Sequence, residues 1–296
     1  MVEIKLILCP VDFSEFSIRA YRHALSLAEH YRAKLIAQHI VEVWRYPYAD
    51  YAASAGDYAA FCRSLREGGK EQLREFVKQQ THNEIQPELM AHEGAAADSI
   101  LSFAIARRAD LIVMGTHGRR GFDRLVLGSV TERVMRKSSC PVLVVCEPRH
   151  DSQGIREEQH QAHHLARILF CTDFSENSKR ALHYAISATG EYDAELTLLH
   201  VLEDVPNPAK NQEVLARTTE QLVRLVPQEA RKTLKIKTAV RIGKPYEQIV
   251  QLALEGQFDL VTMGVRGRGA LDLAVFGSTT YRVIQLGCCP VLTVHL

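Results

Sequence analysis

Residues 109–134 read ADLIVMGTHGRRGFDRLVLGSVTERV, and residues 258–283 read FDLVTMGVRGRGALDLAVFGSTTYRV. Each stretch starts with a short apolar run, passes through a glycine-rich segment and ends in text with helical spacing. A continuous apolar run of this length is typical of a strand that is covered on both faces of a parallel sheet. The two stretches therefore predict the same strand, loop and helix twice in one chain.

The repetition extends well beyond these two stretches. Residues 6–15 read LILCPVDFSE and residues 167–176 read RILFCTDFSE, and a Cys-Pro-Val-Leu sequence closes both halves. A repeat of this length is a whole domain rather than a solenoid unit. We predict one domain over residues 1–147 and a second over 166–296, joined by a polar linker at 148–165.

Strand-like and helix-like segments alternate within each half. In the first half the predicted strands are 5–11, 34–41, 86–92, 111–114 and 141–146, and the predicted helices are 15–31, 57–80, 96–107 and 128–137. This alternation predicts an α/β fold of two tandem Rossmann-like domains, each a five-stranded parallel sheet with helices on both faces. The last strands of the two halves, 141–146 and 290–295, could pair and cover each other's edges.

The charge balance, the apolar runs and the cysteines limit the classes of protein to which this chain can belong. The chain carries 36 basic and 35 acidic side chains, so charge gives no reason to expect a nucleic-acid partner. No apolar run is long enough to span a membrane, and the N-terminus does not resemble a signal peptide, which predicts a cytoplasmic protein. The seven cysteines include no C-x-x-C pair, so buried free thiols are expected.

The spacing of glycines in the two quoted stretches predicts a binding site. Gly115 and Gly118 are followed, after nine residues, by Gly128 and Ser129, and the pattern recurs from Gly264. Glycines allow a sharp turn and close approach of an anion to backbone N–H groups, and a helix N-terminus adds further donors. In open α/β sheets such loops lie at the carboxyl ends of the strands, where ligands bind. The alternative is that the glycines only make turns and caps.

Side chains in and after the loops could add donors and positive charge. Hydroxyl donors would come from Ser129, Thr131, Ser278 and Thr280, and charge from Arg119, Arg120, Arg266 and Arg268.

With these motifs, both halves resemble the universal stress protein family over nearly the whole chain apart from the linker. In that family the pattern G-x2-G-x9-G-[ST] marks members that bind ATP, and the fold is the adenine nucleotide alpha hydrolase-like type. The resemblance implies that Asp12 and Asp173 contact adenosine and that the backbone at Ile40 and Val201 contacts adenine. The second half departs from the family's G-[ST]-H-G opening at Val265.

The resemblance and the loops together give the expected nucleotide-binding residues. In the first half they are Pro10, Val11, Asp12, Ile40, Met114, Gly115, His117, Gly118, Arg119, Gly128, Ser129, Val130 and Thr131. In the second half they are Thr172, Asp173, Val201, Met263, Gly264, Arg266, Gly267, Arg268, Gly277, Ser278, Thr279 and Thr280. The expected ligand is ATP with Mg²⁺, with AMP and ADP as alternatives. An unidentified protein partner, an intramolecular pseudo-dimer and a further homodimer are also expectations.

Some of these residues have structural explanations. Asp-Phe-Ser-Glu fits a capping box with the aspartate as cap, a role that can coexist with ligand contact. His39 and His200 are expected to be structural. Four linker histidines could be read as metal ligands, but a solvated linker is the preferred interpretation: His150, His160, His163 and His164.

No catalytic motif accompanies the loops. The chain has neither a G-x4-G-K-[ST] loop nor a G-x-S-x-G elbow, and no base to orient an attacking water is evident. The sequence therefore favours an ATP-binding tandem stress protein that acts as a nucleotide-dependent regulatory or partner-binding module. A slow ATPase or phosphotransferase and a nucleotide-free scaffold remain alternatives.

Overall fold

A computed structural model describes residues 2–43, 55–81, 84–118, 127–146, 165–203, 211–265, 277–287 and 289–295. The strands are β1 (Leu6–Pro10), β2 (Lys34–Val41), β3 (Glu88–Glu93), β4 (Leu111–Gly115), β5 (Val142–Val145), β6 (Arg167–Cys171), β7 (Glu195–Leu202), β8 (Lys235–Ile242), β9 (Leu260–Gly264) and β10 (Val291–Val294). The helices are α1 (Glu15–Tyr31), α2 (Ala55–Gln80), α3 (Ala96–Arg107), α4 (Ser129–Lys137), α5 (Glu176–Glu191), α6 (Asn211–Leu225), α7 (Gln228–Thr233), α8 (Pro245–Glu255) and α9 (Ser278–Leu286).

The element boundaries follow local chemistry. Helix α1 begins where the Ser14 hydroxyl accepts a hydrogen bond from the N–H of Ser17, and it ends at Arg32, which has a left-handed φ of 53°. Strand β3 begins at Glu88, two residues later than predicted, directly after Pro87, whose ring nitrogen has no hydrogen to donate.

One ten-stranded sheet runs through both halves, in the order β3-β2-β1-β4-β5-β10-β9-β6-β7-β8. Strands within each half are parallel, whereas β5 and β10 pair antiparallel, with Leu143 opposite Leu292. The Thr293 hydroxyl also donates to the Val142 carbonyl across this junction, at 3.1 Å. The predicted α/β fold and the predicted pairing of the two last strands are confirmed.

Helices cover both faces of the sheet, so the side chains of its central strands are buried on both sides. Leu8 and Ile36 belong to the core on one face, whereas Cys9 and Leu35 belong to the core on the other. Each core contains residues of both halves. The six cysteines of the described residues are buried, as expected; Cys288 lies outside them. Within the described ranges, no helix combines the length and the apolar character that crossing a bilayer requires.

The linker prediction falls on residues 148–165, nearly all of which lie outside the described part of the chain, together with the four linker histidines. The same applies to Arg119, Arg120, Arg266, Gly267 and Arg268 of the predicted loops.

Candidate functional site

The described members of the predicted site lie at the carboxyl edge of the sheet, where the strand order reverses. In the first half, β1 lies between β2 and β4, and in the second half β6 lies between β7 and β9. Residues after β1 and β4 therefore border one crevice, and residues after β6 and β9 border another. In open α/β sheets, this switch point is where ligands bind.

Asp12 and Asp173 organise the turn that leads from a strand into a helix. Oδ1 of Asp12 accepts hydrogen bonds from the N–H of Ser14 at 3.1 Å and from the Ser14 hydroxyl at 2.6 Å. Oδ1 of Asp173 accepts from the N–H of Ser175 at 3.0 Å. The caps of α1 and α5 are Ser14 and Ser175. The prediction that the aspartates cap these helices is therefore wrong: each carboxylate lies two residues too early and instead supports the capping serine.

The residue after each aspartate has an unusual backbone conformation. Phe13 has a φ of 66° and Phe174 a φ of 62°. A bulky side chain in this left-handed region costs on the order of 1–3 kcal/mol, and such residues cluster at functional sites. Neither phenylalanine is among the predicted site residues, although the repeated Asp-Phe-Ser-Glu contains both.

Histidines on the neighbouring strands support these turns. Nδ1 of His39 lies 2.7 Å from the Val11 carbonyl, and Nδ1 of His200 lies 2.7 Å from the Thr172 carbonyl. Because a carbonyl only accepts, Nδ1 carries the proton in each ring. The His39 ring also packs on Phe13, with centroids 4.4 Å apart. The structural role expected for both histidines is confirmed.

The first glycine of each loop is required by packing. A Cβ on Gly115 would lie 2.8 Å from the backbone oxygen of Phe16 in α1, and one on Gly264 would lie 3.0 Å from the backbone of Asn177 in α5. These distances are shorter than ordinary carbon contacts, so only glycine lets the strand end approach the helix this closely. The structural interpretation of these two glycines therefore holds whether or not a ligand binds.

Gly118 has a different neighbour. A Cβ on Gly118 would lie 2.5 Å from Oδ2 of Asp12. The backbone of the glycine loop therefore faces the carboxylate directly, although the two residues are far apart in sequence. The start of the predicted phosphate loop and the predicted adenosine contact therefore lie against each other at the carboxyl edge of the sheet, in the crevice that we call the first cleft. The equivalent crevice of the second half is the second cleft.

The loops end at two helix starts without capping side chains. Gly128 is the N-cap of α4 and Gly277 is the N-cap of α9, and neither helix has a side-chain cap hydrogen bond. The N–H of Gly128 donates to the Thr116 carbonyl at 2.9 Å, which ties the loop back to the end of β4. The next N–H groups of a helix have no partner within it and lie at the positive end of the helix dipole. Backbone donors at a helix start of this kind are suited to an anion.

The predicted hydroxyl donors divide into two groups. Ser129 and Ser278 are exposed at the first position of α4 and α9. Thr131 is buried, and its hydroxyl donates to the Gly115 carbonyl at 2.9 Å; Thr280 donates to the Gly264 carbonyl at 3.0 Å. The prediction that these threonines donate to a ligand is corrected, because the strand ends already accept their protons.

The other predicted residues differ in how deeply they are buried near the carboxyl edge of the sheet. Seven predicted residues with side chains are buried: Pro10, Val11, Met114, Thr131, Thr172, Met263 and Thr280. Ile40, Val130 and Val201 are partly buried against the core of the face that contains Ile36. The structure also places Pro10 at the end of β1 and Thr279 in the first turn of α9.

His117 lies in the first cleft and has no equivalent histidine in the second. Its Nδ1 is 3.0 Å from the Thr116 hydroxyl, and its ring centroid is 5.0 Å from that of Phe16. Its Nε2 is buried and has no hydrogen-bond partner among the described residues. In the same part of the chain, no group of three or more His, Cys, Asp or Glu side chains is arranged to hold a metal ion.

Comparisons with known proteins agree with this architecture. The family model described as "Universal stress protein family" matches residues 3–145 and again 164–295. The chain therefore belongs to the universal stress protein family, with two copies of its domain.

Individual relatives match one or both halves. A universal stress protein of Methanocaldococcus jannaschii is 37% identical over 147 residues, covering 50% of this chain and 85% of the relative. One from Mycobacterium tuberculosis is 29% identical over 196 residues, covering 64% of this chain and 62% of that protein. The crystal structure of a universal stress protein from Archaeoglobus fulgidus has a TM-score of 0.69 at 22% identity, covering 98% of this chain and 96% of that one, which shows the shared fold.

Proposed function

We propose that each half of this universal stress protein binds an adenine nucleotide, with ATP and its Mg²⁺ as the physiological form, at the carboxyl edge of the sheet. The protein then acts in the cytoplasm, during stress, as a module whose conformation or protein partner depends on the bound nucleotide. The observation that carries the proposal is the apposition of Gly118 to the Asp12 carboxylate beside the uncapped start of α4.

This arrangement suits a nucleotide because the phosphates need hydrogen-bond donors, whereas the ribose hydroxyls need acceptors. Phosphates need N–H donors and a positive potential, which the start of a helix supplies. Ribose hydroxyls donate hydrogen bonds, and a carboxylate such as that of Asp12 accepts them. The second half repeats the carboxylate at Asp173 and the uncapped helix at α9. Mg²⁺ would be held mainly through the phosphates and water.

The double variant Ser129→Glu plus Ser278→Glu tests the proposal. Both serines are exposed at the first position of a helix, where a carboxylate interacts favourably with the helix dipole by about 0.3–1 kcal/mol. The variant should therefore fold at least as stably as the wild type. The same carboxylates should repel phosphate, so isothermal titration with Mg-ATP should show a large loss of affinity in both clefts.

Ser102→Glu is the control, because Ser102 is exposed in the middle of α3 and the substitution adds a carboxylate away from either helix start. It should bind ATP as the wild type does. Wild-type affinity in the double variant would refute the phosphate site, and equal wild-type affinity for GTP and ATP would refute the assignment of adenine.

A further inference from the structure

Gln38 is a buried amide whose hydrogen-bonding groups are not used. Its side chain is 0% exposed, and within the described residues neither Oε1 nor Nε2 has a hydrogen-bond partner. Buried polar atoms in native proteins are nearly always paired, so an unpaired one needs an explanation such as a missing ligand or water. Gln38 has two such atoms on one side chain.

The position of Gln38 relates it to the first cleft. Side chains alternate along a strand, and Gln38 lies in β2 between Ile36 and Ile40, which both pack on the same core. On one side Gln38 is opposite Pro10, the last residue of β1. Gln38 therefore lies two residues before Ile40, whose backbone is expected to contact adenine. Its side chain is on the same face of the sheet as the Ile40 side chain.

A further polar atom without a partner among the described residues lies on the neighbouring strand. His92 is opposite Ile40 in β3, and its Nε2 is buried without a partner among the described residues. The adjacent helix α3 starts at Ala96 after the N-cap Ala95 and has no side-chain cap. The carboxyl ends of β2 and β3 therefore carry unused donors and acceptors from two side chains and from a helix start.

The second half lacks this polar group of residues. The position of Gln38 is taken by Leu199, opposite Ala239, and the position of His92 is taken by Arg241, opposite Val201. The Arg241 guanidinium is paired with the Glu255 carboxylate. The two clefts therefore share the predicted phosphate-binding groups but differ in the side chains at the positions of Gln38 and His92.

We propose that Gln38 is a specificity-determining residue that recognises the purine base in the first cleft, while the second cleft binds the base without a polar side chain at this position. This inference rests on the proposed function. A glutamine amide matches the edge of adenine that offers an amino donor beside a ring-nitrogen acceptor, because its Oε1 accepts and its Nε2 donates. Since the amide is shut off from solvent, a base can reach it only by displacing side chains that cover it.

The test compares ATP with purine riboside triphosphate, which lacks the 6-amino group. Isothermal titration of the wild type should show one of two sites per chain that prefers ATP by about tenfold or more, because the analogue leaves Oε1 buried and unpaired. In Gln38→Met, which keeps the length of the side chain, this preference should disappear from that site. The other site should be unchanged.

Thr262→Val is the matched control. The Thr262 hydroxyl is also buried and unpartnered among the described residues, but Thr262 lies in β9 opposite Phe170 and Leu292, which pack on the other face of the sheet. Both substitutions remove an unpaired polar group, so both should raise the midpoint of thermal unfolding of the nucleotide-free chain. Only Gln38→Met should change nucleotide selectivity.

The possible failures are distinguishable. A wild type that binds ATP without preferring it over the analogue, or a Gln38→Met variant that keeps the preference, would overturn the assignment of Gln38 and leave nucleotide binding intact. A wild type that binds neither nucleotide would overturn both proposals.

Discussion

The adjacent glycines in the middle of helix α2 provide a sharp test of how the first cleft is supported. An alanine Cβ at Gly68 would have nothing within 4 Å, whereas one at Gly69 would lie 2.9 Å from Cγ2 of Val41 and 3.2 Å from Cδ2 of His39. The same substitution at neighbouring positions therefore probes helix propensity alone at Gly68 and propensity plus packing at Gly69.

The expected magnitudes follow from these distances. Replacing glycine by alanine inside a helix gains about 1 kcal/mol, so Gly68→Ala should raise the free energy of unfolding by about that amount. At Gly69 the same gain is opposed by overpacking, which typically costs about 1–3 kcal/mol, because carbon atoms prefer separations of about 3.5–4.0 Å. Gly69→Ala should therefore be less stable than Gly68→Ala by about 1–3 kcal/mol.

The close contact created by Gly69→Ala should also change the affinity for ATP. His39 holds the Val11 carbonyl, directly before Asp12, so displacing its ring shifts the carboxylate. Urea unfolding and ATP titration of the two variants measure both effects. Equal stabilisation by the two alanines would refute the close approach of α2 to β2, and a clear difference in stability with identical ATP affinity would refute the link from His39 to the site.

Two further predictions concern the helix cap and pH. Ser14→Ala should lower the free energy of unfolding by about 1 kcal/mol, because the Ser14 hydroxyl caps α1, and chemical denaturation showing no loss would contradict that cap. Burial lowers the pKa of His92 below its usual range, so the unfolded chain takes up a proton more readily than the folded chain. Stability should therefore fall as the pH drops through about 6.5, and His92→Gln should lose less stability than the wild type between about pH 7 and pH 5; parallel pH profiles would contradict this.

Much of the fold could be predicted from the sequence because its signals are local and occur twice. Apolar runs such as Leu111–Gly115 mark strands that are covered on both faces, and the bounds of α1 and α3 match their predicted ranges. The glycine pattern also predicted the start of α4 to within one residue. The pairing of the last strands could be anticipated because apolar edge strands need a partner.

Other features depend on contacts between distant residues. The sequence suggested that Asp12 caps α1, but the backbone turn at Phe13 shifts that role to Ser14. It also suggested that Thr131 donates to a ligand, but packing of α4 against β4 brings that hydroxyl to the Gly115 carbonyl. Neither hydrogen bond could be predicted from the spacing of residues in the sequence. Each depends on which group the folded chain brings within hydrogen-bond distance.

The sequence alone determined the α/β architecture, its duplication and the glycine loops, since periodicity and glycine content act over a few residues. Tertiary structure alone decided that Gly118 faces the Asp12 carboxylate and that Gly69 must lack a side chain beside His39. It also decided that the Gln38 amide is buried without a partner among the described residues. These properties are set by which strands and helices pack side by side, and the order of residues along the chain does not encode those distances directly.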